Sequence, residues 1–270
     1  MTALTLTKHH GLGNDFLVVF HPGQQGVTDL PAFARRLCDR RTGIGADGLL
    51  VADTEDGYAA RMTLYNGDGS TAEMSGNGIR CFAQAVAARR GDLGPQLILT
   101  DAGEKVVTLS ATDDPATIMA QVEMGPVEPL AEPSGWAAVE CHPDRPVAHL
   151  SLGNPHSVVG VDEVAMVDLH DLGGRIPHVN LEIVEPGPES NAITMRVHER
   201  GAGITAACGT GACASAFAAR SWGLVPPIEP EVIVHMDGGD AVVTFDESTP
   251  PRAILTGPAT HIATIEVEHA

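Results

Sequence analysis

The chain has 270 residues, and its 16 Lys and Arg against 35 Asp and Glu give a formal net charge of −19. This excess of acidic side chains argues against binding to nucleic acids or anionic membranes, because both require cations that neutralise phosphates. A hydrophobic content of 43% is too high for a disordered acidic chain, and no apolar run is long enough for a membrane-spanning helix. We therefore expect a folded protein of one large domain or two domains.

In the first half, apolar residues at helical spacing predict two helices, and alternating or β-branched residues predict strands. The first helix is expected to follow a cap near Thr28 and to bury the face that contains Phe33. The second helix spans about Asn77 to Arg90 and ends at Gly91, a residue suited to a C-cap. The predicted strands are Leu4–Thr7, Leu17–Phe20, Gly48–Ala52 and Ala60–Tyr65.

The second half predicts a similar set of strands with one helix, Gly211–Trp222. Two stretches rich in Pro and Gly, Met124–Gly135 and Glu185–Glu189, are expected to be surface connections. The residues Ala259–Glu268 read as a strand that returns to the first half. The other predicted strands are Val179–Val184, Ala192–His198, Glu231–Met236 and Ala241–Phe245.

The two halves share matching segments in the same order, which indicates an internal duplication. The segment His9–Val19 can be laid on His149–Val159 at an offset of 140 residues (149 minus 9), with His, Leu, Gly, Asn and Val-Val coinciding. Ser75-Gly76-Asn77-Gly78 then matches Cys208-Gly209-Thr210-Gly211 at an offset of 133 (208 minus 75), and each leads into an Ala-rich helix.

The matched glycine-rich turns are the candidate site. A helix N-terminus offers N–H groups and a positive dipole end that suit a carboxylate. The same field is expected to lower the pKa of a thiol such as Cys208. Two such turns could hold one carboxylate and present a protic side chain on each side of it, Ser75 and Cys208, as proton removal and return would require.

Two other site types fit the residues less well. Gly209-x-Gly211-x-x-Ala214 resembles a dinucleotide fingerprint, but no predicted strand leads directly into it and no acidic residue ends a following strand at the required spacing. A Cys-His-Asp type hydrolase could use His156 and Glu199, yet it gives no reason for a duplicated turn. Neither alternative explains the repeat.

The cysteines bear on the cellular compartment. Cys38, Cys81, Cys141, Cys208 and Cys213 form no CxxC pair, so no zinc ribbon or thioredoxin-type site is predicted. Their odd number, and the absence of a visible secretory signal in the first ten residues, predict reduced thiols in the cytoplasm.

Six motifs together resemble the diaminopimelate epimerase family: His10-Gly11-Leu12-Gly13-Asn14-Asp15-Phe16, Asn66-Gly67-Asp68-Gly69-Ser70, Gly76-Asn77-Gly78-Ile79-Arg80-Cys81, Gly153-Asn154-Pro155-His156, Glu199-Arg200-Gly201-Ala202-Gly203 and Ala207-Cys208-Gly209-Thr210-Gly211. The resemblance covers nearly the whole chain. It implies an isomerase that interconverts LL- and meso-diaminopimelate for lysine and peptidoglycan precursors, without pyridoxal phosphate, any other cofactor or a metal. It also implies a homodimer whose partner is a small-molecule substrate.

The implied fold is α/β (α+β), with two pseudo-symmetric domains in which a mostly antiparallel sheet or barrel wraps around a central helix. The sequence predicts these halves as residues 1–121, joined by a returning strand at 259–270, and 122–258.

The resemblance also implies a role for each matching residue. Ser75 and Cys208 would be the catalytic acid–base pair, and His156 and Glu199 would tune their protonation. The α-amino group would be positioned by Asn14 and Glu199. The remaining roles are binding of the reacting carboxylate by Gly76, Asn77, Gly209 and Thr210, and recognition of the distal amino-acid end by Asn66, Asn154, Asn180 and Arg200.

Ser75 departs from the family pattern, which has a catalytic cysteine at this position. A serine hydroxyl is much less acidic than a thiol of pKa about 8.5 and is therefore a poor base. The chain could be a natural variant that epimerises, a racemase or epimerase of another amino acid such as hydroxyproline or histidine, or a Cys-to-Ser variant, engineered or natural, that only binds. Gly48 stands where some members of the family have a polar contact residue. Ile204 stands where the family usually has Glu, and nothing in the sequence explains this replacement.

Overall fold

The computed structural model describes residues 2–269, which divide into two compact units. The first unit comprises residues up to 122 together with those from 257 onward, and the second unit comprises 123–256. Two strands, β8 (Thr117–Pro126) and β17 (Arg252–His269), contribute residues to both units. The halves predicted from the sequence, 1–121 with 259–270 and 122–258, remain a prediction.

The first unit is a closed barrel of eight strands. Besides β8 and β17, its elements are, in chain order, β1 (Thr2–Gly11), β2 (Asn14–Phe20), α1 (Leu30–Cys38), β3 (Gly48–Asp53), β4 (Ala60–Asn66), β5 (Thr71–Ala72), α2 (Gly76–Arg90), β6 (Gln96–Thr100) and β7 (Gly103–Ala111), with a short 3-10 helix at Pro22–Gln25. Around the barrel the strands pair in the order β1-β2-β3-β4-β6-β7-β8-β17, and β17 pairs again with β1.

The helix α2 is the core of the first unit. Every residue from 76 to 87 is buried, so the helix is enclosed on all sides instead of showing one apolar stripe. Gly91 ends it in the left-handed conformation (φ 76°) and donates its N–H to Ala87 O. This is the C-cap that the sequence predicts.

The second unit repeats this element order around its own central helix. Its elements are β9 (Glu128–Pro129), β10 (Val147–Ser151), β11 (Pro155–Gly160), α3 (Leu169–Arg175), β12 (Asn180–Pro186), β13 (Ala192–Glu199), β14 (Gly203–Thr205), α4 (Gly209–Ser221), β15 (Glu231–Met236) and β16 (Gly239–Phe245), with 3-10 helices at Trp136–Val139 and Val164–Met166. The helix α4 contains mainly Ala, Gly, Ser and Cys, small residues that let the sheet close around it.

Strand register shows that the units match position by position. Leu49 pairs with Tyr65 in the first unit, and Leu181 pairs with His198 in the second. The parallel pairs correspond too, because Phe16 lies beside Gly48 while His156 lies beside Asn180. The internal duplication inferred from the sequence is therefore present in the structure.

Most predicted elements lie where the sequence places them, and two predictions need correction. The helix α1 is capped by Asp29, the residue after Thr28, whose carboxylate accepts from Ala32 N. The stretch Met124–Gly135 is not all surface connection, because Met124 belongs to β8 and is buried. Likewise β12 extends to Pro186, into a stretch expected to be a connection.

Candidate active site

In the first unit, Ser75 is the N-cap of α2. Its backbone is extended (φ −133°, ψ 126°), and its Oγ accepts a hydrogen bond of 3.0 Å from Gly78 N. The hydroxyl hydrogen can still be donated, because the oxygen serves here as the acceptor. This end of α2 carries the positive end of the helix dipole, which suits an anion.

In the second unit, Cys208 caps α4 in almost the same conformation (φ −129°, ψ 117°). Its Sγ accepts from Gly211 N at 3.3 Å and lies 3.5 Å from Thr210 Oγ1. The two turns found in the sequence are therefore equivalent local structures, one headed by a hydroxyl and the other by a thiol.

The thiol of Cys208 contradicts the expectation that the helix field lowers its pKa. Burial and the nearby carboxylates of Glu199 and Glu182 raise the pKa of Cys208 well above the usual value, although the contacts from Thr210 and Gly211 N act in the opposite direction. The side chain is only 4% exposed. Desolvation therefore outweighs the helix dipole at this site.

Near Ser75, the structure brings together Asn14 and Asn77 of the predicted binding residues. Asn77 Nδ2 donates to Asn14 Oδ1 at 3.2 Å. Asn66 ends β4, its Nδ2 donates to Ser70 Oγ at 3.0 Å, and its backbone pairs with that of Gly48. Gly48 leaves little room for a larger residue, since an added Cβ would lie 2.8 Å from Tyr65 O.

A charged network that the sequence analysis missed supports Asn14. Asn14 Nδ2 donates to Asp47 Oδ2 at 2.6 Å, and Asp47 pairs with Arg40 at 2.7 Å. Arg40 also pairs with Asp15 at 2.6 Å, and Lys8 lies 3.0 Å from the same carboxylate. Burial tends to raise the pKa of Asp15, but the hydrogen bonds and charges of Arg40 and Lys8 outweigh it and lower the pKa.

Arg80, a buried residue of α2, holds the turn that contains Gly76 and Asn77. Its guanidinium donates to Gly76 O at 3.0 Å and to Asn77 Oδ1 at 2.8 Å. Gly11 and Gly257 flank this group so closely that a Cβ on either would come within 3.2 Å of it. These two glycines therefore make room for a charged side chain inside the first unit.

In the second unit, the structure brings His156, Asn154 and Thr210 together with Cys208. His156 Nε2 lies 3.1 Å from Asn154 Oδ1, and Asn154 Nδ2 donates to Thr210 Oγ1 at 3.3 Å. All three residues thus connect to the turn that contains the thiol.

Three further predicted residues lie near one end of β12 and β13. Asn180 Oδ1 accepts from Arg200 N at 2.9 Å, and Asn180 Nδ2 donates to Pro155 O at 3.0 Å. The carboxylate of Glu199 accepts from Thr205 Oγ1. Arg200 itself is exposed.

The sequence analysis also missed Glu182, which is completely buried beside His156. Its Oε1 lies 2.6 Å from His156 Nδ1, and burial raises the pKa of Glu182 while His156 opposes that rise. Its position was a usable signal, because Leu181-Glu182-Ile183-Val184 places one charge within a short apolar run. A charge in that position costs free energy unless a partner is provided.

Within residues 2–269, no group of three or more His, Cys, Asp or Glu side chains is arranged to hold a metal ion. None of the helices there has the length and hydropathy needed to cross a membrane.

Comparison with solved structures defines the class of protein. A phenazine biosynthesis protein of the PhzF family from Bacillus anthracis matches with a TM-score of 0.75 at 14% identity over 100% of both chains. A hydroxyproline epimerase from Agrobacterium vitis matches with a TM-score of 0.70 at 14% identity, over 98% of this chain and 92% of the other. At such identities the likeness shows the fold, so the molecule is a two-unit α+β protein of the fold that this epimerase shares.

Sequence comparison then gives the family. The model of the diaminopimelate epimerase family matches residues 6–130 and 149–262. A diaminopimelate epimerase from Desulfitobacterium hafniense is 37% identical over 280 residues, covering 96% of each chain, and one from Thermosynechococcus vestitus is 37% identical over 284 residues, covering 95% and 96%. This chain belongs to the diaminopimelate epimerase family. The predictions of family, fold class, epimerase function and isomerase class are confirmed.

Proposed function

We propose that this protein converts LL-diaminopimelate to meso-diaminopimelate by moving a proton between the two faces of one α-carbon. The observation that carries the proposal is the matched pair of helix N-caps, Ser75 on α2 and Cys208 on α4. Each cap places a protic side chain beside N–H groups that suit a carboxylate.

The reacting α-carboxylate suits the N–H groups of either turn, those at Gly76 and Asn77 in the first unit and those at Gly209 and Thr210 in the second. These groups gain strength as removal of the proton moves negative charge onto the carboxylate oxygens. Preorganised donors therefore lower the barrier to forming the carbanion.

The other substrate groups meet the remaining polar residues. Asn14 and Glu199 position the α-amino group, and Asn14 is well suited to this because Asp47 and Asn77 fix its amide. The distal amino-acid end is recognised by Asn66, Asn154, Asn180 and Arg200, with Asn180 held by the backbone of Arg200. A substrate without this end would lose most of these contacts.

The acid–base steps are unequal because the two caps differ. Cys208, as a thiolate, takes the α-proton and becomes a thiol, with His156 and Glu199 tuning its protonation. The carbanion then takes the hydroxyl proton of Ser75 at the opposite face. Water returns a proton to the Ser75 alkoxide, and the hydroxide that this leaves removes the proton from the Cys208 thiol and restores the thiolate. A carbanion is basic enough to take a proton from serine, whereas serine is a weak base for the reverse step.

This inequality has a measurable consequence. The equilibrium constant ties the forward and reverse rates of inversion together, so a poor second base slows net inversion in both directions. Exchange of the α-proton at the Cys208 face does not need Ser75. We therefore expect hydrogen exchange to be faster than inversion.

We further propose that the reaction needs no pyridoxal phosphate and that the enzyme is a cytoplasmic homodimer, as members of the family are expected to be. All five cysteines have free thiols, which fits a reducing compartment. Sedimentation of the purified protein would test the dimer.

The test of the function is incubation of the enzyme with LL-diaminopimelate in D₂O, followed by proton NMR of the α-position and chiral separation of the isomers. Deuterium at the α-carbon together with the meso isomer supports the proposal. Exchange without any meso isomer means that Ser75 cannot deliver its proton. Binding without exchange would leave a protein that only binds, and equal turnover of amino acids without the distal end would contradict diaminopimelate as the substrate.

A further inference from the structure

A chain of hydrogen bonds runs from the buried carboxylate of Glu182 to the sulfur of Cys208. Glu182 Oε1 and His156 Nδ1 are 2.6 Å apart, and His156 Nε2 is 3.1 Å from Asn154 Oδ1. Asn154 Nδ2 donates to Thr210 Oγ1 at 3.3 Å, and Thr210 Oγ1 lies 3.5 Å from Cys208 Sγ. We name these five residues the donor chain.

The donor chain has a definite direction. Thr210 Oγ1 accepts from Asn154, so its own hydrogen is available for the sulfur of Cys208. The oxygen of Asn154 can only accept, so His156 Nε2 carries a hydrogen and donates it, and a second hydrogen lies between His156 Nδ1 and Glu182 Oε1. Each donor therefore points toward Cys208, and Glu182 occupies the opposite ring nitrogen of His156.

Glu182 is also held close to the thiol. A Cβ added to Gly211 would lie 2.8 Å from Glu182 Oε1 and 3.2 Å from Cys208 Sγ. The other carboxyl oxygen, Oε2, is buried with no hydrogen-bond partner within the described residues. A fully buried carboxylate with only one of its oxygens bonded is costly, which favours a functional reason for keeping it.

We propose that Glu182 is a positioning residue for the reaction: by holding Nδ1 of His156, it directs the donor chain onto the sulfur of Cys208. The inference rests on the proposed function, in which Cys208 is an acid–base group. A sulfur that receives the Thr210 hydrogen is better able to exist as a thiolate, the form that removes the α-proton.

The carboxylate has a second effect of opposite sign. Glu182 from β12 and Glu199 from β13 both face Cys208 with negative charge, whereas His156 from β11 and the N-terminus of α4 supply donors. The charge of Glu182 disfavours the thiolate, while its hold on His156 favours it. A single substitution mixes the two effects, so the test must separate them.

Two substitutions remove the carboxylate of Glu182 and differ in whether they keep a hydrogen bond to His156 Nδ1. Glu182→Gln can donate its amide to His156 Nδ1 and keep the donor chain, whereas Glu182→Leu cannot. The probe is methyl methanethiosulfonate, whose reaction with Cys208 is followed against pH by peptide-resolved mass spectrometry. Cys141, the cysteine that is not buried, is replaced by Ser in every variant.

We expect the pH midpoint of Cys208 modification to lie about one unit higher in Glu182→Leu than in Glu182→Gln, a tenfold difference in thiolate below the midpoint. The difference should vanish when Thr210→Val removes the last hydroxyl, because the donor chain is then already broken. Glu185→Gln, on the same strand, is the matched control and should leave the midpoint unchanged.

Equal midpoints in the Gln and Leu variants would show that Glu182 acts through its charge alone and would overturn the inference. A difference that persists with Thr210→Val would also overturn it, because the effect would not pass along the donor chain. The readout needs no turnover, so an inactive wild-type enzyme with the expected midpoints would contradict only the proposed function. Thermal unfolding identifies any variant that fails to fold, and for such a variant Glu182→Met replaces Glu182→Leu.

Discussion

The two helix N-termini share a backbone turn but not the direction of the hydrogen bonds around it. In the second unit, Asn154 donates to Thr210, which leads toward Cys208. In the first unit, the equivalent residues reverse this order, because Asn77 donates to Asn14 and Asn14 donates to Asp47, away from Ser75. The same duplicated scaffold therefore supports a reactive sulfur in one unit and a rigid binding amide in the other.

The residues beneath the two turns also differ, because they are apolar in the first unit and polar in the second. Register places Phe16 and Leu50 in the first unit where His156 and Glu182 stand in the second. Leu50 lies under Gly78 as Glu182 lies under Gly211. An apolar floor supplies neither donors nor charge to Ser75, which fits a group that only delivers a proton to a strong base.

The largest effect is expected from making the two caps alike. Cys208→Ser should lower the rate of α-proton exchange by about 1000-fold, because a positioned acid–base group contributes this much. Proton NMR in D₂O measures the rate, and Cys141→Ser, a replacement far from either turn in sequence, should leave it unchanged. Exchange at the wild-type rate in Cys208→Ser would remove Cys208 from the mechanism.

Replacing the serine cap of α2 by cysteine should accelerate inversion. Ser75→Cys supplies a second thiol, and we expect net formation of meso-diaminopimelate to rise by about 100-fold. Hydrogen exchange at the Cys208 face should change little. Ser75→Ala is the paired variant, and it should abolish inversion while exchange continues. An unchanged inversion rate in Ser75→Cys would mean that the floor of the first unit, not its cap, limits the reaction.

The two equivalent histidines should respond differently to acid. His9 is 1% exposed, and burial, opposed by Gln84 and aided by His261, lowers its pKa to about 4 from 6.5. Between these two pKa values, His9 is therefore protonated in the unfolded chain and neutral in the folded protein. This contribution to the free energy of unfolding is complete above pH 6.5 and falls as pH drops toward 4, by about 2 kcal/mol at about pH 5.

Urea unfolding at neutral and acidic pH would measure this loss. His9→Gln should be less sensitive to pH than the wild type over this window. His149→Gln is the matched control, because burial also lowers the pKa of His149 but the residue is more exposed. Equal pH sensitivity of the wild type and His9→Gln would contradict the assignment.

The smallest effect is expected at the network that fixes Asn14. Asp47→Asn removes the charge that binds Arg40 and the strong acceptor for Asn14. The KM for diaminopimelate should rise about tenfold with little change in kcat, the cost of one charge-assisted hydrogen bond. Asp53→Asn, at the other end of β3, should leave KM unchanged. A fall in kcat alone would show that Asp47 serves the chemistry instead of binding.

Much of the fold could be predicted because it is encoded locally. The caps at Ser75 and Cys208, the end of α2 at Gly91 and the repeat itself are visible in short runs of sequence. The helix α3 was missed because it has seven residues and contains Gly173 and Gly174, which weaken helical propensity. The strand β7 was missed because most of its residues are exposed.

Motifs in the sequence mark the candidate site residues, but they do not mark the residues that contact them from distant segments. Asp47 meets Asn14 across 33 residues, and Glu182 meets His156 across 26. The raised pKa of Cys208 was also missed, because it depends on burial and on carboxylates from two other strands. Such effects arise only when the chain has folded.

The returning strand β17 has a consequence for the order in which the protein is made. Residues 123–256, which form the second unit, are synthesised before the strand that pairs with β1 and closes the first barrel. On the ribosome, the second unit can thus finish folding while the first unit still lacks the strand β17 that closes its barrel. Synthesis from N- to C-terminus and completion of the units run in opposite orders.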